Sequence, residues 1–288
     1  MNATPAVRPP RGGPDTALPP TLTYAFAVTR TPPPAGVLAA TAGHDGGGPL
    51  RVLRAGAVWV VVQDVPAPAF DETALAARLN RPDELERCVR AHHRGVGTAA
   101  RRGAVVPLPM ATLYRGDANA VEAVTARETA LCALLDRLRD RTEWAVKVHA
   151  AEPGTASPDA PGTGHGGEGG GRAYLSRVSA RRRTRQEAQE RARAEAAAAD
   201  RELRRYAVAA TRHRPQSEQL TGRGTPQLLN AAYLVDEGER AGFIGALDRL
   251  TAGRGLAHVR IVASGPWIPY SFARPDEEWN DVGGEVRA

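Results

Sequence analysis

The chain has 288 residues, a formal net charge of +6, 42% hydrophobic residues and only 5% aromatic ones. That length leaves room for two ordinary domains, and the apolar share suffices for a core built mainly from Leu, Val and Ala. No run approaches the roughly 18 apolar residues that a membrane-spanning helix needs, so a helical membrane protein is excluded.

A pI near 9.9 ordinarily suggests nucleic acid or an acidic partner. All but one of the 38 basic residues are arginine, Lys147 being the lysine. With abundant Ala, Gly and Pro, that pattern reads as a coding bias and weakens the nucleic-acid inference. Cys88 and Cys132 both fall in predicted helices, which suits reduced thiols better than a disulfide framework. The opening residues are Pro-rich and lack the apolar stretch of a signal peptide, so a cytoplasmic protein is expected.

Residues 1–20 read as a disordered arm. Thr21–Thr29 alternates, with Leu22, Tyr24, Phe26 and Val28 on one side, and predicts a strand. Thr31–Pro49 carries a Pro run and HDGGG and predicts a loop. Leu50–Val65 predicts two short strands turning near Ala55-Gly56, and the apolar run Val58–Val62 suits an interior strand. Asp71 is placed to cap a helix ending before Arg81-Pro82, and Pro82 opens a second helix with its fixed φ. On that helix Leu85, Cys88, Val89, His92, Val96 and Ala99 form one stripe, and Gly103 ends it.

Ala104–Tyr114 predicts a short strand whose prolines favour an edge. A helix capped by Asp117 or Asn119 follows to about Asp140, and the strand Glu143–Ala150 is expected to close a first domain, residues 21–150. Antiparallel turns in place of regular βα alternation argue for α+β. Residues 151–171 are almost all Gly, Pro and small polar types, and predict a flexible linker.

A second α+β domain, residues 172–273, opens with a long Arg/Ala-rich helix from Ala173 to about Thr211. Its thin apolar stripe is Leu175, Val178, Ala188, Ala192, Ala196, Ala199, Leu203 and Tyr206. Strand Gln227–Val235, helix Glu239–Ala252 and strand Ala257–Ala263 follow. Residues 274–288 form an acidic tail expected to be disordered, and no internal repeat is visible in the sequence.

Catalytic and metal chemistry find little footing. Cys88 and His92 stand four apart on one helix face, yet no second Cys/His pair completes a site, so a core histidine is the better reading. His92, His93, Glu84 and Glu86 have no nucleophile motif beside them. The runs Gly46–Gly48 and Gly166–Gly171 lack the order of a phosphate-binding loop. No catalytic, cofactor or metal residue is therefore assigned.

Two segments remain as partner-binding candidates. Arg181, Arg182 and Arg183 form the densest positive cluster, without the interleaved aromatics that stacking on nucleic acid needs. Gly265–Tyr270 presents Trp267 and Tyr270 on a chain stiffened by two prolines, as an anchor for a protein or as a seal between the domains.

Six segments, taken together and in order, resemble the GvpL/GvpF family of gas vesicle proteins. They are Tyr24–Phe26, Val105–Tyr114, Glu143–Val148, Gly171–Leu175, Leu229–Val235 and the closing Gly265–Phe272, the last being the most specific. The resemblance runs from about Leu22 to Ala273. It implies two α+β domains, the first ferredoxin-like in character. It also implies a cytoplasmic, gas-vesicle-associated accessory protein without enzymatic activity. Such a protein would bind the hydrophobic shell protein and other accessory proteins and assist shell nucleation or assembly, with no cofactor, small-molecule substrate or membrane. The composition alone leaves a basic nucleic-acid-associated protein as the alternative.

Overall fold

The computed structural model of the chain describes residues 20–151, 170–214, 226–252 and 256–273. The expected arm up to residue 19, linker residues 152–169 and the acidic tail lie outside the described residues. The first elements are β1 (Thr21–Thr29), α1 (Ala35–Ala40), β2 (Arg51–Ala55), β3 (Val58–Pro66), α2 (Ala67–Phe70), α3 (Glu72–Leu79), α4 (Pro82–Ala99) and β4 (Val105–Pro107). Then come β5 (Leu113–Tyr114), α5 (Asp117–Thr125), α6 (Glu128–Leu138) and β6 (Arg141–Ala150). The last are α7 (Gly170–Arg204), β7 (Ala209–Arg212), β8 (Gln227–Asp236), α8 (Arg240–Thr251) and β9 (Val259–Trp267).

The strands form two antiparallel sheets. One has the order β2-β3-β1-β4 with β5 beside β1, the other β7-β8-β6-β9. Numbering the strands within each sheet gives the same order twice, 2-3-1-4, with helices after the first and third strands. That is the ferredoxin-like βαββαβ plan. The class is α+β, and the ferredoxin-like character expected of the first half extends to the second. The repetition lives in topology and leaves no visible trace in sequence.

Local physics explains most elements. The Asp71 carboxylate accepts from the Ala74 N–H at 2.8 Å and caps α3, and Pro82 sits in the first turn of α4. Gly56 turns the β2–β3 hairpin at φ 61°. β3 lies between β2 and β1, which buries both faces of its Val run, while Pro107 stands on β4 at the sheet edge.

Several expectations need correction. A β-bulge between Ala25 and Ala27 breaks the alternation of β1, so Tyr24 and Phe26 face one cluster while Val28 joins the opposite one. The loop Thr31–Pro49 contains α1. Ala104–Tyr114 is two strands, β4 and β5, separated by a turn that holds Ala111 at φ 70°. The long helix from Asp117 breaks into α5 and α6, and Gly116 rather than Asp117 or Asn119 is the N-cap residue. Asp117 spends its carboxylate on Arg51, at 2.6 and 2.7 Å, and on the Thr23 hydroxyl at 3.0 Å. The break brings Glu128 to the β2–β3 turn, where it accepts the Ala57 N–H at 2.8 Å.

β6 does not close the first unit. It pairs with β8 and β9 at the centre of the second sheet, because Trp144, Val146 and Val148 pack on Tyr233 and Phe243 there. The first unit therefore ends before Arg141 and not at residue 150. α7 stops at Arg204, short of Thr211, and the chain turns into β7 beside β8. On α4, Leu85 and Val89 are exposed, while Cys88, Ala91, His92, Gly95 and Val96 form the buried face.

That face depends on a missing side chain. A Cβ at Gly95 would run into the ring of Phe26, which is wholly buried and cannot retreat. Gly95→Ala should cost about 1–3 kcal/mol through overpacking, despite the better helix propensity of Ala. A lowered urea midpoint checks this; an unchanged or raised midpoint would show that α4 and β1 are not in close contact.

Candidate partner-binding surface

β9 carries the chain from the second sheet back to the first. Gly265 takes φ 151° where the backbone crosses Trp144; a Cβ there would lie 3.0 Å from the Glu143 carbonyl oxygen and the Trp144 ring. Beyond it, Ile268 and Tyr270 pack against the cluster containing Tyr24 and Phe26. Phe272 and Ala273 enter a cluster shared by β1, β3, α5, α6 and β8. The closing segment thus seals the two halves.

Tyr270 belongs to the seal. Its ring stacks on His93 of α4 at 6.0 Å, its hydroxyl meets His93 Nδ1 at 3.2 Å, and burial pushes its phenol up to about 12. Trp267 behaves differently. It is 47% exposed, with only its indole N–H tethered to the Ser264 hydroxyl at 3.2 Å. It borders a groove of about 390 Å³ between the halves, lined by Ala104, Val105, Leu138, Pro266, Ile268 and Pro269 with polar Asp140, Arg141, Thr142 and Glu237.

Beneath the seal, the buried Glu143 accepts from the Ser271 N–H at 2.8 Å and its hydroxyl at 2.7 Å. His213 Nε2 stands 3.2 Å from that hydroxyl. The serine is the middle member of this chain and donates to the carboxylate. A nucleophilic triad needs the carboxylate on the histidine instead, so the arrangement is a tether. Sequence reasoning missed Glu143, Ser271 and His213, which lie 58 and more residues apart and converge only through sheet pairing.

Arg181, Arg182 and Arg183 stand elsewhere. Every side chain from Val178 to Arg191 on α7 is exposed, and the helix becomes buried only at Ala192, Ala196, Ala199 and Leu203. Val178 and Ala188, expected in the apolar stripe, are thus in solvent. Asp200 docks the buried end, taking the Tyr233 hydroxyl at 2.6 Å, Arg212 at 2.5 Å and Arg204 at 3.1 Å. Burial alone would push its carboxyl up; those three donors hold it below the usual range. At about 1.5 Å per residue, Arg182 lies roughly 27 Å along the axis from Asp200.

The Cys88–His92 pair resolves into core. His92 Nδ1 meets the Tyr24 hydroxyl at 3.0 Å, and its ring is hydrogen-bonded at the Leu108 backbone. The Tyr24 oxygen in turn accepts the Ala111 N–H at 3.0 Å. Neither partnered group is free to ligate or to move a proton to substrate.

Burial lowers the pKa of His92 to about 4 and, with help from His92, Arg78 and Arg94, that of His44 to about 3. The unfolded chain binds these protons from about pH 6.5, so stability is full above that value and is lost as pH falls toward 4. His92 alone should contribute on the order of 2–3 kcal/mol to this loss, and His92→Phe should flatten the profile of unfolding free energy against pH. A profile equally steep in that variant would reject the assignment. At the seam, Phe272→Ala should cost about 3–5 kcal/mol. Trp267→Ala should cost less than about 1 kcal/mol, as exposed substitutions do; urea titration of the two variants separates seal from surface.

Residues 22–274 match the family model described as "Gas vesicle synthesis protein GvpL/GvpF". The chain is 40% identical over 258 residues to gas vesicle protein L of Streptomyces sp. (strain CB03234), covering 89% of this chain and 94% of that protein. Its fold is that of the crystal structure of gas vesicle protein GvpF from Anabaena sp. PCC7120, with TM-score 0.60 and 16% identity over 88% of this chain and 99% of the other. The crystal structure of GvpF from Microcystis aeruginosa is similar at TM-score 0.59 and 16% identity, covering 89% and 100%. With the model match spanning nearly all the described residues and the six quoted segments, the chain belongs to the GvpL/GvpF family of gas vesicle synthesis proteins.

Proposed function

We propose that the chain is a non-enzymatic binding and assembly factor of gas vesicle formation. It works in the cytoplasm and at the vesicle, and covers the hydrophobic shell protein until that protein is laid into the shell. Family membership supplies the process. The observation that favours an apolar client is Trp267, an exposed indole at the rim of a groove whose lining is largely aliphatic and proline. Large aromatics at the mouth of a pocket are the usual energetic anchors of protein contacts. The stitched seam keeps that groove in one shape, so little ordering cost falls on binding.

A second role falls to α7. Its exposed half carries Arg181, Arg182 and Arg183 away from the body, where they meet acidic surfaces of other accessory proteins by long-range attraction. A nucleic-acid partner is the competing reading of the same arginines.

Co-purification of the shell protein with the full-length chain tests both. Trp267→Glu should lose most of the captured shell protein. Capture by the unaltered chain should survive 0.5 M salt, since an apolar contact is not screened. Reversing all three arginines to Glu should leave shell-protein capture within about twofold while weakening contacts to acidic partners. Capture that collapses with salt and with the arginine reversal, yet tolerates Trp267→Glu, would overturn the groove assignment.

A further inference from the structure

The second sheet ends in an open edge. β9 is its last strand, nine residues long, and pairs only with β6 among the described residues. Its register sets Val259 against Ala150, Ile261 against Val148 and Ala263 against Val146. Ala151 continues that register by donating to the His258 carbonyl oxygen at 2.7 Å, whereas Ala150 turns its N–H the other way, to Pro226 at 3.0 Å. Bonded and unbonded pairs alternate along an antiparallel ladder. His258, Arg260, Val262 and Ser264 therefore direct their backbone groups to β6, while Val259, Ile261 and Ala263 direct theirs outward from the sheet.

Side chains mark the same edge as unfinished. Val259, Ile261 and Ala263 lie under the helices together with Val146, Val148 and Tyr233, yet only the last three are wholly buried. On the opposite face Val262 is 40% exposed. Sheets ordinarily blunt an edge by keeping it short or by placing proline or charge on it. The other edges here do so: β4 has three residues and Pro107, β7 has four, and β2 carries Arg51 and Arg54. From Val259 to Ser264, β9 has Arg260 as its single charge and no proline.

We propose that this edge pairs with the same edge of a second copy of the chain, antiparallel about a two-fold axis at Ile261. In that register Ile261 faces its own counterpart and Val259 faces Ala263 of the other copy, so every outward N–H and C=O of the three residues finds a partner. Moving the axis by one residue sets Val259 or Ala263 beyond the matched run. A two-fold contact needs a patch that complements itself, and this run meets that requirement, which commits the occupant to a second copy. The half-buried apolar side chains of the two copies then cover one another, and Arg260 falls opposite Val262 instead of opposite the other arginine. The two four-stranded sheets join into one. Trp267 lies outside the paired run, so the dimer and the assembly reading stand or fall separately.

Sedimentation equilibrium of the full chain tests the proposal. A two-strand contact belongs to the small, weak class of interfaces, so the mass should rise from 30.5 kDa toward twice that between about 1 and 200 µM. Ala263→Pro removes an outward N–H that the fold itself does not use, the position at which an edge strand tolerates proline. It should weaken association at least about tenfold, through one lost hydrogen bond in each copy. Val262→Glu, placed opposite Arg260 of the other copy, should tighten association about threefold, and Val262→Lys should loosen it about as much. Val89→Lys, at an exposed apolar position on α4, should change nothing, and Trp267→Glu should lose shell-protein capture while keeping the dimer. A mass that stays at the monomer value throughout, a dimer indifferent to Ala263→Pro, or the same response to both charges at Val262 overturns the proposal. Should Ala263→Pro fail to fold, the opposite effects at Val262 decide alone.

Discussion

The structure rests on one apolar cluster that neither half could complete alone. Val28, Val58, Val60 and Val62 of the first sheet meet Leu131, Leu134, Leu135 and Leu138 of α6, with Ala232 and Leu234 of β8 and Phe272 of the closing segment. Each sheet also packs its other face on its own helices. Strands β1, β3 and β8 are therefore buried on both faces, which is why they read as near-continuous apolar runs and not as half-polar alternation. Separating the halves would expose that shared cluster to water, at a cost that grows with the apolar area uncovered. A fixed mutual geometry follows, and with it the groove beside Trp267.

Polar groups then determine how the pieces meet. Glu143 ties β6 to Ser271 in the closing segment. Asp200 ties α7 to β7 and β8 through Arg212 and Tyr233. Arg51 joins β2 to β3 and α5 through Asp64 and Asp117. The two buried acids, Glu143 and Asp200, each have two or more donors, the condition under which a buried carboxylate is tolerated. The arginine-rich composition, which reads as a coding bias, supplies many of these partners.

How far the sequence was legible depended on the range of the forces involved. Asp71 as a cap, Pro82 in a first turn, the Gly56 hairpin and the buried Val run of β3 are decided within a few residues, and the pattern alone disclosed them. The β6 assignment went astray because nothing in Arg141–Ala150 says which sheet will take it; that is settled by Tyr233 and Phe243, more than 80 residues on. The bulge in β1 shifts its faces by one residue without a sequence mark. Trp267 and Tyr270, three residues apart and both aromatic, part company because only Tyr270 reaches His93.

In the proposed reading, the molecule divides its surface between two kinds of contact. At the seam, proline-stiffened backbone and a closed apolar cluster present Trp267 on a frame that cannot readily deform, which suits a partner recognised by shape and apolar area. On the exposed half of α7, where Val178 to Arg191 have no packed neighbour among the described residues, charged side chains suit a partner met first by charge and orientation. Contacts of the second kind form quickly and weaken with salt, whereas those of the first kind set how long a complex lasts. Under the proposed assembly role, in which a hydrophobic client is held and later surrendered to a growing shell, separate surfaces let a competing acidic partner engage the arm without first displacing the client from the groove.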